Sequence, residues 1–513
     1  MTASNGPAVR ARVARLLDRA QVVFAGRPEA EEVVRTARRR LDEPLRVAVA
    51  GKVKAGKSTL LNALVGARLA PTDARECTRI VTWYRDGLSY AVTLHPVDGR
   101  PRPVPFRREA RALAIDLDGS KPGDVDRLVV EWPSTSLRAM TLIDTPGIGS
   151  LSTEVSARTR AFLTPDTGPG DADAVCYLMR HLHAADARFL EAFRDGASAS
   201  VAPMNAIAVL SRADEIGGGR LAALESAARI AQRYRQDSQV RQLCQTVLPV
   251  AGLLGETAST LREDEYAALR TLVDVDRQTR DRLLLSVDRF TAPDAPVELD
   301  RDVRRALIAR FGVLGVRLSV ALIRSRQATT ATALARALMD RSGVATLREV
   351  LTTQFSDRAD LLKARSGLVA VSSVLDRHRV PGTEELAGEA ERITSDTHAF
   401  AEARLLNALR AGTVRIDDAG ADEAERLLGG YGPDPVERLG MAGTDGPFDD
   451  AALYAAALDA LGRWRQRAEH PLAGRDAVEA ARVVARSCEG IVASLSRRAG
   501  TPRPAARGDR ARF

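Results

Sequence analysis

Cysteine is scarce in this chain, and what there is forms no chemical pattern. Cys77, Cys176, Cys244 and Cys488 are the only four in 513 residues and make no C-x-x-C pair, which excludes a zinc ribbon or a disulfide framework and points to a reducing cytoplasm. Aromatic residues are 4% against a hydrophobic share of 45%, so the core must rely on Leu, Val and Ala, which suit long helices. No apolar run approaches the roughly 18 to 20 residues that span a bilayer. The first residues carry Arg and Asp where a signal peptide would be apolar, so any membrane contact is expected to be peripheral. An excess of one charge is also missing. Lys+Arg 75 face Asp+Glu 67, for a net charge of +8 and a pI near 9.6; this mixture argues weakly for nucleic acid and fits an anionic membrane surface equally well. The clear local excess is the Arg-rich end "SRRAGTPRPAARGDRARF". His181 and His183 in "RHLH" have no further His or Cys nearby and read as a strand end rather than a metal site.

What is present falls into segments. Residues 1–43 carry apolar positions at helical spacing, interrupted near "AGRPE", and read as a broken amphipathic helix. Residues 44–290 alternate strands and helices, from "LRVAVAG" through "AMTLIDTPG" and "NAIAVLSRAD" to "TVLPVAG", the pattern of an α/β domain with a mainly parallel sheet. After the Pro-rich joint "FTAPDAPVELD", residues 291–499 are almost purely helical and 500–513 form a basic tail. One long helix is expected from Leu347 to Leu375 and a second from Leu386 to Leu409. Helices of about 30 residues would be about 45 Å long, hence an elongated all-helical neck and stalk bundle. Two breaks are candidate tips: the turn at 376–384 and the Gly/Pro-rich stretch 427–448, whose apolar residues either pack on their own bundle or meet a membrane or partner.

The chemistry lies in the α/β part. "GKVKAGKST" matches G-x-x-x-x-G-K-[ST] between a strand and a helix. Gly51, Ala55, Gly56 and Thr59 line a backbone cradle for phosphates, Lys57 neutralises the β- and γ-phosphates, and the Ser58 hydroxyl is a Mg²⁺ ligand. Asp144, ending the strand of "TLIDTPG", reaches the same ion, and the Gly147 N–H can touch the γ-phosphate. In "APTDARECTRIVTWY", Thr78 is the candidate for closing over Mg²⁺, with Thr72 as its rival. In "VLSRADE", Asp214 can accept from N1–H and the 2-amino group of guanine while the Arg212 stem lies along the base. Adenine lacks that donor pair and would leave a buried carboxylate unpaired, so the nucleotide is GTP; the alternative is an ordinary surface Asp. "PVAG", with Ala251, is the candidate last base-contacting loop.

On "GKVKAGKSTLLNAL", "ECTRIVTWY", "LIDTPG" and "LSRADE", with a helix before the α/β domain and a helical half after it, the chain resembles the dynamin superfamily. Within it, the bacterial dynamin-like proteins of actinobacteria, including the isoniazid-inducible mycobacterial type, are most similar. The resemblance implies GTP hydrolysis with Mg²⁺, a homodimer of GTPase domains across the nucleotide or a hetero-oligomer with a second dynamin-like protein, and peripheral contact with an anionic membrane at the cytoplasmic face. It also frames Lys54. At the corresponding loop position dynamins carry a Ser that helps hold a monovalent cation, and guanylate-binding proteins carry an Arg that turns inward. Lys54 is therefore a candidate built-in cation, the alternative being that it points to solvent. Two other functions remain open at this point: a GTPase switch in RNA or ribosome assembly, for which no RNA-binding module follows residue 290, and a structural partner subunit with weak activity.

Overall fold

A computed structural model describes residues 2–70, 80–108, 113–147, 171–181, 184–195, 205–356, 358–410, 412–414, 416–432, 434–441, 449–471 and 473–500. Thr78, its rival Thr72 and Cys77 lie outside these residues.

The chain begins with α1 (Thr2–Val23) and α2 (Pro28–Arg40), divided where "AGRPE" predicts a break. The sheet follows: β1 (Leu45–Gly51), β2 (Val81–Arg85), β3 (Ala91–Pro96), β4 (Arg102–Pro103), β7 (Val125–Glu131), β8 (Met140–Asp144), β9 (Ala174–Met179), β10 (Ala206–Ser211) and β11 (Val247–Val250), with β5 (Phe106–Arg108) and β6 (Leu113–Ile115) as a separate pair. Its order is β11-β10-β9-β1-β8-β2-β7-β3-β4. β11, β10, β9, β1 and β8 run parallel, and β2 joins β8 antiparallel. Every residue of β1 is buried, as the apolar run Val47–Gly51 requires of a strand covered on both faces. Pairing of Val49 with Asp144 on one side and with Cys176 on the other brings the phosphate motif and the carboxylate to one end of the sheet.

The two-residue side-chain period divides the core. Val47 and Val49 face α3 (Lys57–Val65) in a cluster that continues into α1, α2 and the helices Ala359–Arg377 and Thr383–Asp396. Ala48 and Ala50 face a second cluster, which includes Phe311, Leu334 and Leu338 from the helices Arg301–Arg324 and Ala331–Ser342. Sequence after residue 290 therefore completes the cover of the sheet before it forms anything separate.

Arg301–Arg324 is, among the described residues, the one helix long and apolar enough to cross a membrane, which corrects the expectation that no segment approaches that length. Its apolar residues are used otherwise: Leu307, Phe311, Leu314, Val316 and Val320 are buried against the α/β domain. Arg304 donates to the Phe290 and Ala292 carbonyls, and Arg310 pairs with Glu265 at 2.7 Å.

The helical half is segmented rather than rod-like. The expected helix from Leu347 to Leu375 consists of Val344–Val350, a π-helical turn Leu351–Ser356 and Ala359–Arg377. Thr352 and Thr353 explain the break, because their hydroxyls bond back to the Arg348 and Glu349 carbonyls and compete with the backbone ladder. The second expected helix is divided at Thr397, whose hydroxyl takes the Ile393 carbonyl at 2.6 Å.

The helices His398–Arg410, Asp418–Leu427, Asp450–Ala468 and Arg475–Gly500 surround a third core with Trp464 at its centre. This unit meets the α/β domain at Arg241 and Gln242. Arg410 donates to the Arg241 carbonyl at 3.1 Å, and Gln242 donates to the Arg410 carbonyl at 3.3 Å. Within the stretch 427–448, Leu427 and Leu428 are buried in the third core, and Val436, Leu439 and Met441 pack against it. Arg438 ties Leu427 to Glu402, at 2.7 and 2.8 Å. Of the described part, Tyr431 is the large apolar residue left exposed; Phe448 lies outside the described residues.

Candidate functional site

The site opens where β1 ends. At Gly51 (φ +149°) a Cβ would lie 2.5 Å from the Leu178 carbonyl oxygen of β9, so the first glycine is fixed by the neighbouring strand. The loop turns through left-handed Lys54 (φ 62°) and Gly56 (φ 92°) into α3, whose first N–H groups receive no side-chain cap. Uncapped donors at the start of a helix form an anion site. Lys57 folds over the loop and donates to the Gly51 and Lys52 carbonyls, each at 3.3 Å. Burial lowers its pKa against the opposing pull of Asp144, so its charge is costly until an anion arrives.

The Ser58 hydroxyl donates to Asp144 Oδ2 at 3.0 Å. Asp144 Oδ1 is buried without a hydrogen-bond partner among the described residues, and burial raises the carboxyl's pKa despite Lys57 and Ser58. A hydroxyl beside a carboxylate oxygen with an unused acceptor is a hard-oxygen set that fits Mg²⁺ with its waters. Thr145 fastens this strand end through its hydroxyl to the Val49 carbonyl at 3.0 Å. Gly147 lies against the phosphate loop, and a Cβ there would be 2.6 Å from Val53 Cγ2 and 2.9 Å from Val53 Cα. The D-x-x-G segment and the loop thus touch directly, so a displacement of either must be felt by the other.

On the other side of α3 is a cavity of about 180 Å³ lined by Ala55, Gly56, Thr59, Leu60, Leu178, Val209, Ser211, Arg212, Asp214, Glu215, Val250, Gly252 and Leu253. Apolar walls with one buried carboxylate suit a planar base bearing a pair of donors. Burial raises the Asp214 pKa. Arg212 adopts a left-handed backbone (φ 54°), and Glu215 holds its guanidinium at the rim while also accepting from Arg180 at 3.2 Å. Ala251 is placed differently from expectation. Its N–H donates to the Ser342 carbonyl at 2.8 Å, and Val250, Gly252 and Leu253 form the wall instead.

Residues 47–180 match the Dynamin family model. Over 459 residues, 90% of this chain and 92% of the relative, the sequence is 42% identical to isoniazid-induced protein IniC of Mycobacterium tuberculosis. The chain belongs to the dynamin family. It is also 38% identical over 115 residues, 20% of this chain and 16% of the other, to a bacterial dynamin-like protein of Nostoc punctiforme. Among solved structures it aligns with a chain of an oligomerised bacterial dynamin pair, described as providing a mechanism for the long range sensing and tethering of membranes. That alignment has 12% identity and a TM-score of 0.31 and covers 96% of this chain and 75% of the other. A dynamin-family GTPase domain implies GTP binding.

Sequence reasoning singled out Lys54 as the extra cation of this dynamin loop and passed over Lys52. Lys54 is exposed. Lys52 is engaged, with its ammonium 3.0 Å from Asp186 Oδ2, while the Tyr177 hydroxyl donates to Oδ1 at 2.7 Å. Asp186 is buried in the helix Ala184–Asp195 that follows β9. The signal for Lys52 was in the motif itself; Asp186 belongs to no motif. Among the described residues no cluster of His, Cys, Asp and Glu could hold a metal ion, and His181 lies outside any such group.

Proposed function

We propose that this protein hydrolyses GTP and couples nucleotide-driven association of its GTPase domains to binding and remodelling of a membrane at its cytoplasmic face. The observation that carries the nucleotide half is the arrangement around α3, with Lys57, Ser58 and Asp144 at the start of the helix and the Asp214 cavity beside it. GTP would supply the γ-phosphoryl group transferred to water, and Mg²⁺, held by Ser58 and Asp144, would neutralise charge on its phosphates. In this reading Gly51, Ala55, Gly56 and Thr59 cradle phosphate, Ser58, Asp144 and Thr78 hold the ion, and Gly147 follows the γ-phosphate. Lys57 balances the phosphate charge, Lys54 meets charge developing on the leaving group, and Arg212 and Asp214 select guanine.

Family membership supports the membrane half, and the segmented structure narrows its candidates. Because Leu427, Leu428, Val436, Leu439 and Met441 pack in or against the third core, the basic tail after residue 499 and the turn at 376–384 become the stronger contact points. GTP turnover of the full chain, measured alone and with anionic vesicles, tests the reading. Turnover that rises with vesicles, together with co-flotation, supports it. GTPase activity stimulated by RNA and indifferent to vesicles would favour an assembly switch.

A further inference from the structure

The helix Arg301–Arg324 is broken in its middle. Gly312 has φ 63° and ψ 176°, and the break sits against the base cavity. A Cβ built on Gly312 would be 3.7 Å from Asp214 Oδ2 and 3.5 Å from Leu253 Cδ2, a residue of the cavity wall. Gly219, which follows the Asp214 turn, packs on the next residues of the same helix, with its Cβ position 3.4 Å from Leu314 N and 3.6 Å from Val313 Cβ.

Groups from outside the helix bond to it on both sides of the break. The buried Thr257 hydroxyl donates to the Arg310 carbonyl, the acceptor that Leu314 N–H would use in an unbroken ladder. Arg317, one turn beyond, donates to the Gly219 carbonyl at 2.6 Å and to the Leu284 carbonyl. The Asp214–Gly219 turn, the helix Gly252–Ser259 and the Leu284 backbone therefore all grip the helix within two turns of Gly312.

We propose that Gly312 is a positioning residue for guanine recognition: the break it makes in this helix clamps the 213–219 turn and fixes the Asp214 carboxylate against the base. The inference rests on the reading of Asp214 as the guanine acceptor. The same break also makes the exit of this helix from the GTPase domain part of the base-reading structure. An occupied base site would then be registered on the base side of the domain as well as through the D-x-x-G segment.

A Cβ at 312 would meet only ordinary van der Waals contacts, but a φ of 63° is unfavourable for alanine. The helix escapes by straightening, which draws residues 313–317 away from Gly219. The test compares guanosine diphosphate with inosine diphosphate, which lacks the 2-amino group, and with adenosine diphosphate, on wild type, Gly312→Ala and Arg317→Ala. Wild type is expected to favour guanosine over inosine diphosphate by about tenfold or more. Both variants should compress that ratio at least about threefold while remaining folded by thermal melting. If wild type does not prefer guanosine over adenosine diphosphate, the Asp214 reading itself fails. If wild type discriminates and Arg317→Ala or folded Gly312→Ala keeps the same ratio, with both affinities unchanged or falling together, the positioning role is overturned. Arg317→Ala decides alone should Gly312→Ala not fold.

Discussion

The Ser58 hydroxyl and Asp144 Oδ2 lie 3.0 Å apart, joining the start of α3 to the end of β8 where the nucleotide's metal is expected. Asp144 is not content there. Its other oxygen has no hydrogen-bond partner among the described residues, and burial raises its pKa. A carboxyl whose folded pKa exceeds its unfolded one makes the ionised form a cost to the fold above the unfolded pKa, and acidification relieves that cost. Asp144→Asn is therefore expected to raise the melting temperature of nucleotide-free protein at neutral pH by roughly 1–3 °C. It should also abolish Mg²⁺-dependent GTP turnover. Thermal melts beside phosphate-release assays check both halves.

Asp214 gives a pH dependence of definite sign. Guanine needs its ionised form, and burial raises its pKa, so nucleotide affinity should fall on acidification at a pH above the ordinary carboxylate range. Titration of guanosine diphosphate binding downward from neutral pH should show this decline in wild type. In Asp214→Asn, where no carboxyl titrates, the residual binding should be flatter.

The loop lysines should separate kinetically. Lys52 is tied to buried Asp186 at 3.0 Å, so Lys52→Ala and Asp186→Asn are expected to weaken nucleotide binding by similar factors. Because they share one interaction, the double variant should be little worse than either. Exposed Lys54 has no such tie among the described residues. Lys54→Ala should lower kcat at least about tenfold, roughly 1.4 kcal/mol, with little change in affinity, and wild-type turnover should not require K⁺. Full turnover in that variant, or rescue of an inactive wild type by K⁺, would return Lys54 to a solvent-facing charge.

Arg410 and Glu425 form a pair at 2.7 Å with both side chains almost fully buried, and Arg241 also pairs with Glu425. Burial pushes the Arg410 pKa down to about 10. Removing the carboxylate leaves a buried guanidinium uncompensated, and Glu425→Ala is expected to cost about 3 kcal/mol. Denaturant unfolding measures this cost. Limited proteolysis between the α/β domain and the third core should also accelerate if the pair holds them together.

The stretch at 427–448 separates its own residues in the same way. Leu427 is buried, and Leu427→Ala should destabilise by roughly 2–5 kcal/mol. Tyr431 is exposed, and Tyr431→Ala should leave stability within about 0.5 kcal/mol of wild type. A neutral Leu427→Ala that loses vesicle binding would restore this stretch as the lipid contact.

The α/β part was legible because its signals are local. Val47–Gly51 of β1 is a continuous apolar run, and a glycine-rich loop between strand and helix needs only adjacent residues to be recognised. The helical half was legible in type but not in path. Periodicity marks Leu347 to Leu375 as helical, yet the back-bonds of Thr352 and Thr353 that divide it leave the apolar period intact. Likewise "RFGVLGVRLS" reads as ordinary amphipathic helix, and the special backbone of Gly312 follows from partners such as Thr257 and Gly219, distant in sequence. Lys52 shows the opposite case. It stood in the quoted motif, but its partner Asp186 belongs to no pattern, and only the fold brings the two together.

The central claim is that Asp214 reads guanine in a GTP-hydrolysing site, and the most direct measurement is nucleotide selectivity of turnover in wild type and Asp214→Asn. Wild type is expected to hydrolyse GTP and leave ATP and XTP essentially untouched. Asp214→Asn should lose GTP turnover and partly gain XTP turnover, because an amide can donate to the xanthine O2 where a carboxylate cannot. Equal use of ATP and GTP by wild type, or an Asp214→Asn variant that retains full preference for GTP, would contradict it.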